Sequence, residues 1–81
     1  MLYKIPLLLS PQSEGGFTVT SPLLPELVTE GDSVDEALEN ARDALAAVVE
    51  AYQDVGRSLP ANIQLNDLSG AIWVETLLAA A

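Results

Sequence analysis

The side chains of this chain that can do chemistry are nearly all carboxylates. Twelve Asp and Glu stand against three Lys and Arg, with no His and no Cys, for a formal net charge of −9 over 81 residues. Without Cys or His there is no disulfide, no thiol nucleophile, no zinc site built from the usual ligands and no imidazole acid–base catalyst. The carboxylates point to two uses: metal-assisted hydrolysis, or a charged surface for a basic partner. Hydrolysis needs several carboxylates converging on the metal ions. Here Glu14 falls in a turn signal, and Asp35, Glu36, Glu39, Asp43, Glu50 and Asp54 are strung along one periodic stretch. No Lys or Asp is arranged to activate a serine as nucleophile. No catalytic residue, cofactor or metal is therefore expected, and no enzymatic activity. A nucleic acid is not expected as a direct ligand either, because phosphate contacts need cations and only Lys4, Arg42 and Arg57 are available. An acidic body attracts basic proteins instead.

The element that must carry these acids is the stretch Glu30 to Gly56, the only long periodic segment. Ser33 and Glu36 form a capping box, in which the hydroxyl takes a first-turn N–H and the carboxylate reaches back to the N–H of Ser33. Asp35 and Glu36 then sit at the positive end of the helix dipole. Apolar residues recur at Val34, Leu38, Ala41, Leu45, Val48, Tyr52 and Val55, steps of three and four that draw one stripe. Gly56 is placed as the residue that stops the helix. The predicted rod is roughly 33 Å long, enough to cross a small sheet. Arg57, next to Gly56, is placed to cap helix carbonyls or to pair locally. Tyr52 and Trp73 read as core or dimer-contact residues.

The segments around the rod read as strands. Leu2 to Ser10 alternates Tyr3, Ile5, Leu7 and Leu9 against Leu2, Lys4, Pro6 and Leu8, and it is apolar on both sets. A strand of that kind is normally covered on both faces, and Pro6 puts its N–H side at an edge or bulge. Pro11 to Gly16 is a turn in which Gly15-Gly16 accept positive φ. Phe17 to Ser21 is a second strand with Phe17 and Val19 inward, making a hairpin with the first. A proline-bracketed corner, Ser21 to Pro25, leads to a short third strand, Glu26 to Glu30. After the helix come a loop over 57–62, a weakly alternating run from Ile63 to Leu68, and a last strand candidate, Ala71 to Leu77, where a short helix is the other option. The predicted architecture is a two-layer α+β domain over 1–81, an antiparallel sheet of three to four strands with one long helix, in the order β-β-β-α-β.

Composition adds two expectations. Hydrophobic residues are 49% of a short chain and charged residues 19%, which suggests that some apolar surface is covered by another chain. A bare edge strand invites the same pairing. Leu7-Leu8-Leu9, flanked by Pro6 and Pro11, is too short for a signal peptide, and no segment reaches the ~20 apolar residues of a membrane span. A cytoplasmic homo-oligomer, dimer or tetramer, with no membrane partner is expected.

Several of these residues also resemble a known family. The turn Glu14 to Phe17, the Leu-Pro corner Pro22 to Pro25, the Thr-Glu-Gly-Asp step Thr29 to Asp32 and the run Glu36 to Ala41 are similar, in this order and spacing, to antitoxins of the HicB type. The resemblance covers roughly 2–56. It implies a partial RNase-H-like fold and a non-enzymatic antitoxin that binds and masks a small basic, mRNA-cleaving toxin of the HicA type by surface occlusion. An RNase-H-like nuclease would usually place one carboxylate on its first strand; Leu2 to Ser10 has none. Glu26-Leu27 stands where the family has Gly-Cys, and no C-terminal operator-binding module is expected.

The candidate partner face is made of the acids around the third strand and helix start: Glu26, Glu30, Asp32, Asp35, Glu36 and Glu39. The alternative is an orphan dimeric HicB-like binding module with no toxin. A remoter one takes Asp32-Ser33-Val34 as similar to the phosphopantetheine attachment step of acyl carrier proteins. Four prolines and period-two alternation in the first thirty residues oppose the helix that such a protein places there, so Ser33 is read as an N-cap.

Overall fold

Ser33 starts the helix as its sequence context dictates. Its hydroxyl accepts a hydrogen bond from the backbone N–H of Glu36 at 3.1 Å, and α1 runs over Val34–Asp54 with Asp35 and Glu36 in the first turn. In the computed structural model, which describes residues 2–60, 63–65, 67–78 and 80, the reciprocal bond from the Glu36 carboxylate to Ser33 is not made among the described residues. The helix lies on a three-stranded antiparallel sheet of β2 (Leu8–Pro11), β3 (Phe17–Thr20) and β4 (Val28–Gly31), in that order. A second, two-stranded sheet pairs β1 (Leu2–Tyr3) with β5 (Gln64–Leu65). The architecture is α+β with the element order expected.

Register explains which residues are inside. Leu9, Val19 and Thr29 stand in one row across the sheet, and Leu8, Thr20 and Val28 in the next. Successive rows face opposite sides. Val19 is fully buried under the helix, whereas Val28 is 68% exposed on the other face. The hydrophobic core has two parts. Val19, Leu27, Ala37 and Ala41 form one, near the helix start; Leu24, Tyr52 and Ile63 form the other, near its end, and Leu45 packs against both.

Four expectations change. The first strand is split, because the chain between Tyr3 and Leu8 is not paired as a strand and Pro6, in its middle, has no N–H to give a ladder. Its alternation survives the break, with Tyr3, Ile5, Leu7 and Leu9 partly buried, while Leu2 and Leu8 stay exposed in the single chain. The third strand begins at Val28, since Glu26 and Leu27 belong to the corner, where the Leu27 N–H donates to the Leu24 carbonyl at 3.0 Å. The strand after the helix is Gln64–Leu65, not 71–77; Ala71 to Leu77 is neither strand nor helix and Trp73 is 87% exposed, so it is no core residue. Of the loop over 57–62, positions 61 and 62 lie outside the described residues, as do 79 and 81 at the C-terminal end.

Candidate functional site

At the start of α1 the chain packs backbone against backbone. Gly31, the last residue of β4, is buried. A Cβ there would meet the Ala37 backbone nitrogen, and would lie 2.6 Å from the Ala37 Cα and 2.8 Å from the Glu36 carbonyl carbon. The sequence step Glu30-Gly31-Asp32 is therefore a requirement of packing: only glycine lets the strand run directly under the first turn. Asn40 fixes the same junction by donating from Nδ2 to the Glu30 carbonyl at 2.8 Å. On the outer face of the sheet, Gln12 Nε2 donates to Thr18 Oγ1 at 2.8 Å and to Glu30 Oε2 at 2.9 Å.

Around this rigid junction five acids are exposed: Glu30, Asp32, Asp35, Glu36 and Glu39. Glu36 and Asp35 reach Glu39 at helical steps of three and four, so like charges are neighbours. None of the five has a cationic partner among the described residues, where the sole ion pair is Arg57 with Glu26. No group of three or more carboxylates among the described residues is disposed to hold a metal ion. The Ser33 hydroxyl sits in its capping bond, the role its position predicts.

Glu26 is placed elsewhere. Tyr52 donates its hydroxyl to the Glu26 carboxylate, 3.0 Å from either oxygen. Arg57 Nη1 donates to the same carboxylate at 3.1 Å, and the guanidinium stacks 4.6 Å from the centre of the Tyr52 ring. Tyr52 lies about 24 Å further along the helix than Glu36 at 1.5 Å per residue. Five of the six predicted face residues are thus brought together and the sixth belongs to the far end of the rod. Arg57 pairs across 31 positions rather than locally. Its backbone N–H still caps the helix, donating to the Tyr52 carbonyl at 2.8 Å, while Gly56 at φ 68° donates to the Gln53 carbonyl at 3.1 Å. This double bond pattern brings the residue after the stop glycine against the last helical turn, which is how Arg57 meets Tyr52. The signal was present in the sequence: a stop at Gly56 implies a contact between positions 57 and 52. The partner, Glu26, had no such signal.

Residues 5–77 match the family described as the HicB-like antitoxin of bacterial toxin–antitoxin systems. The chain belongs to the HicB-like antitoxin family. It is similar to Antitoxin HicB 1 of Photorhabdus laumondii, 42% identical over 57 residues that make up 70% of this chain and 37% of that protein. It is also similar to Antitoxin HicB of Escherichia coli K12, 36% identical over 77 residues, 95% of this chain and 56% of that one. This HicB-like chain therefore spans about half the length of the E. coli relative, and less of the Photorhabdus one. These relatives carry the name of antitoxins, not of enzymes. No helix among the described residues is long and apolar enough to cross a membrane.

Proposed function

We propose that this chain is an antitoxin that binds a small basic HicA-type toxin, an mRNA-cleaving ribonuclease, and masks its cationic RNA-binding face in the cytoplasm. The observation that carries the reading is the set of unpaired acids at the helix start. Glu30, Asp32, Asp35, Glu36 and Glu39 are exposed and have no cation among the described residues. Like charges at helical neighbour spacing work against the helix, which offsets part of what Asp35 and Glu36 gain at its positive end. A cationic surface arriving from outside relieves that repulsion and is steered toward it. Gly31 and Asn40 hold the acids on a junction that cannot slide, so the surface is formed before the partner arrives. The domain acts as a homo-oligomer through its apolar surface.

The test uses a small basic HicA-type ribonuclease as the partner. Stoichiometric addition of the chain should stop RNA cleavage. In the double variant Glu36→Lys, Glu39→Lys the association rate should fall on the order of tenfold or more at low salt. That gap should close as salt rises, because exposed charges are screened. Uninhibited cleavage would leave the second reading, a dimeric HicB-like module without a toxin, which the exposed apolar segment at 71–78 favours. Binding that ignores both salt and charge reversal would move the contact to apolar residues.

A further inference from the structure

An open groove of about 420 Å³ lies where the C-terminal part of the chain passes the helix start, lined by Ser33, Val34, Asp35, Leu77 and Leu78. Leu77 and Leu78 are 61% and 85% exposed and belong to neither part of the core. Val34, the first residue of α1, is half-buried. The Ser33 hydroxyl is taken up in the helix cap, where it accepts from the Glu36 N–H. Three aliphatic side chains thus line the groove, and the exposed Asp35 borders them.

The surroundings decide what can sit there. Asp32, Asp35, Glu36 and Glu39 are exposed, and none has a cation among the described residues. Glu39 stands one helical turn beyond Asp35, on the same side of the rod. A second copy of this chain, with its net charge of −9, would bring its own acids against these. Nucleic acid and an anionic membrane surface are repelled for the same reason. A partner gains on both counts only if it presents an apolar side chain to the groove and Lys or Arg around that side chain. An apolar centre bordered by polar and charged groups is the usual plan of a specific interface. The two parts act on different rates. Exposed charges steer the approach and are screened by salt, whereas a buried apolar anchor slows the departure.

We infer that the groove between Val34 and Leu77-Leu78 seats an apolar side chain, flanked by Lys or Arg, on the surface of the basic ribonuclease. The acids set how fast the two meet; Val34, Leu77 and Leu78 set how long they stay together. This rests on the masking reading and adds to it an uncharged part of the contact. The experiment immobilises a small basic HicA-type ribonuclease on a sensor and measures association and dissociation rates of the full chain at low and high salt. The double variant Leu77→Ala, Leu78→Ala should dissociate about tenfold or more faster at both salts, with its association rate within about twofold of the wild type. Val34→Glu is the sharper variant. It adds a carboxylate to the acid face at a helix position that favours Glu, and it puts a charge into the apolar groove. Charge alone would make it bind faster and stay longer; an anchor in the groove makes it bind no more slowly and leave about tenfold or more faster. Helical circular dichroism checks each variant, and the leucine pair, outside the core, carries the test if Val34→Glu does not fold. A wild-type chain that does not bind the ribonuclease sinks both this inference and the masking reading. Binding whose dissociation rate is unchanged in the leucine variant, or longer-lived binding by Val34→Glu, sinks the groove alone and leaves masking by charge. Sedimentation of the chain without ribonuclease supplies the remaining outcome: if the leucine variant loses self-association while its dissociation from the ribonuclease is unchanged, the occupant is a second copy and the inference falls.

Discussion

At the first turn of α1, sheet and helix meet backbone to backbone, through Gly31 and Ala37; at the last turn they meet through the side chains of Tyr52, Arg57 and Glu26. Acids occur at both ends, yet their situations are opposite. Glu26 is held by a hydroxyl and a guanidinium and helps close the fold. Glu30, Asp32, Asp35, Glu36 and Glu39 make no ion pair among the described residues, and glycine-mediated contact closes this end. Shape does at one end what charge does at the other, and the acids where shape suffices make no ion pair among the described residues.

The sharpest way to break this comparison is to put a methyl group at the first junction. Gly31→Ala adds a Cβ that collides with Ala37 backbone, and backbone cannot rotate away as a flexible side chain would. A loss of about 3 kcal/mol is expected from denaturant unfolding, at the upper end of what overpacking usually costs. A loss below about 1 kcal/mol would mean that the helix slides on the sheet, and the acids would then not be preset. A smaller effect is expected at the other end. Gly56 has φ 68° with nothing within 4 Å of an added Cβ. Gly56→Ala should cost about 1 kcal/mol, the conformational term alone. If the two substitutions cost the same, the distinction between the ends fails.

How much of this could be read in advance differs along the chain in a physical way. The helix was legible because Ser33, Glu36 and Gly56 act within a few residues of themselves. The stripe was legible through Ala41, Leu45, Val48 and Tyr52, which pack inward. Ala37 was missed, since an alanine gives little hydrophobic signal; its burial comes from the approach of Gly31. Val55 was placed on the stripe but is 75% exposed, because it is the C-cap, where the chain leaves the helix. Period-two alternation located β2 and β3, and it also drew a strand at 71–77, which pairs with no strand among the described residues. Alternation reports that a segment can be a strand, not that its partner lies in the same molecule. The Glu26–Tyr52–Arg57 cluster joins three distant positions, and only its Arg57–Tyr52 half follows from local geometry.

The smallest effect expected is a pH dependence confined to the far end of the helix. The Glu26 carboxyl is held below its ordinary 4.5, first by a hydrogen bond from its own backbone N–H; burial, next in size, pushes it up, and the Tyr52 hydroxyl and the Arg57 guanidinium each add a smaller pull downward. As pH falls, the unfolded chain takes up this proton before the folded chain does. The stability that Glu26 contributes is therefore complete above the ordinary carboxylate value and disappears as pH drops through the lowered one. Tyr52 is displaced the other way, upward from 10.0, by desolvation first and by its bond to Glu26 second. Its contribution is present below that value and is lost only as pH rises through the raised one. Glu26→Gln keeps a hydrogen-bond acceptor but cannot ionise, so the wild type should exceed it in thermal midpoint across neutral pH. The two should converge in acid below the carboxylate range. General relief of the −9 charge acts on both proteins almost alike and drops out of the difference. A gap that persists unchanged into acid would show that the variant's loss is one of shape, and the two ends of the helix would then be held by the same means.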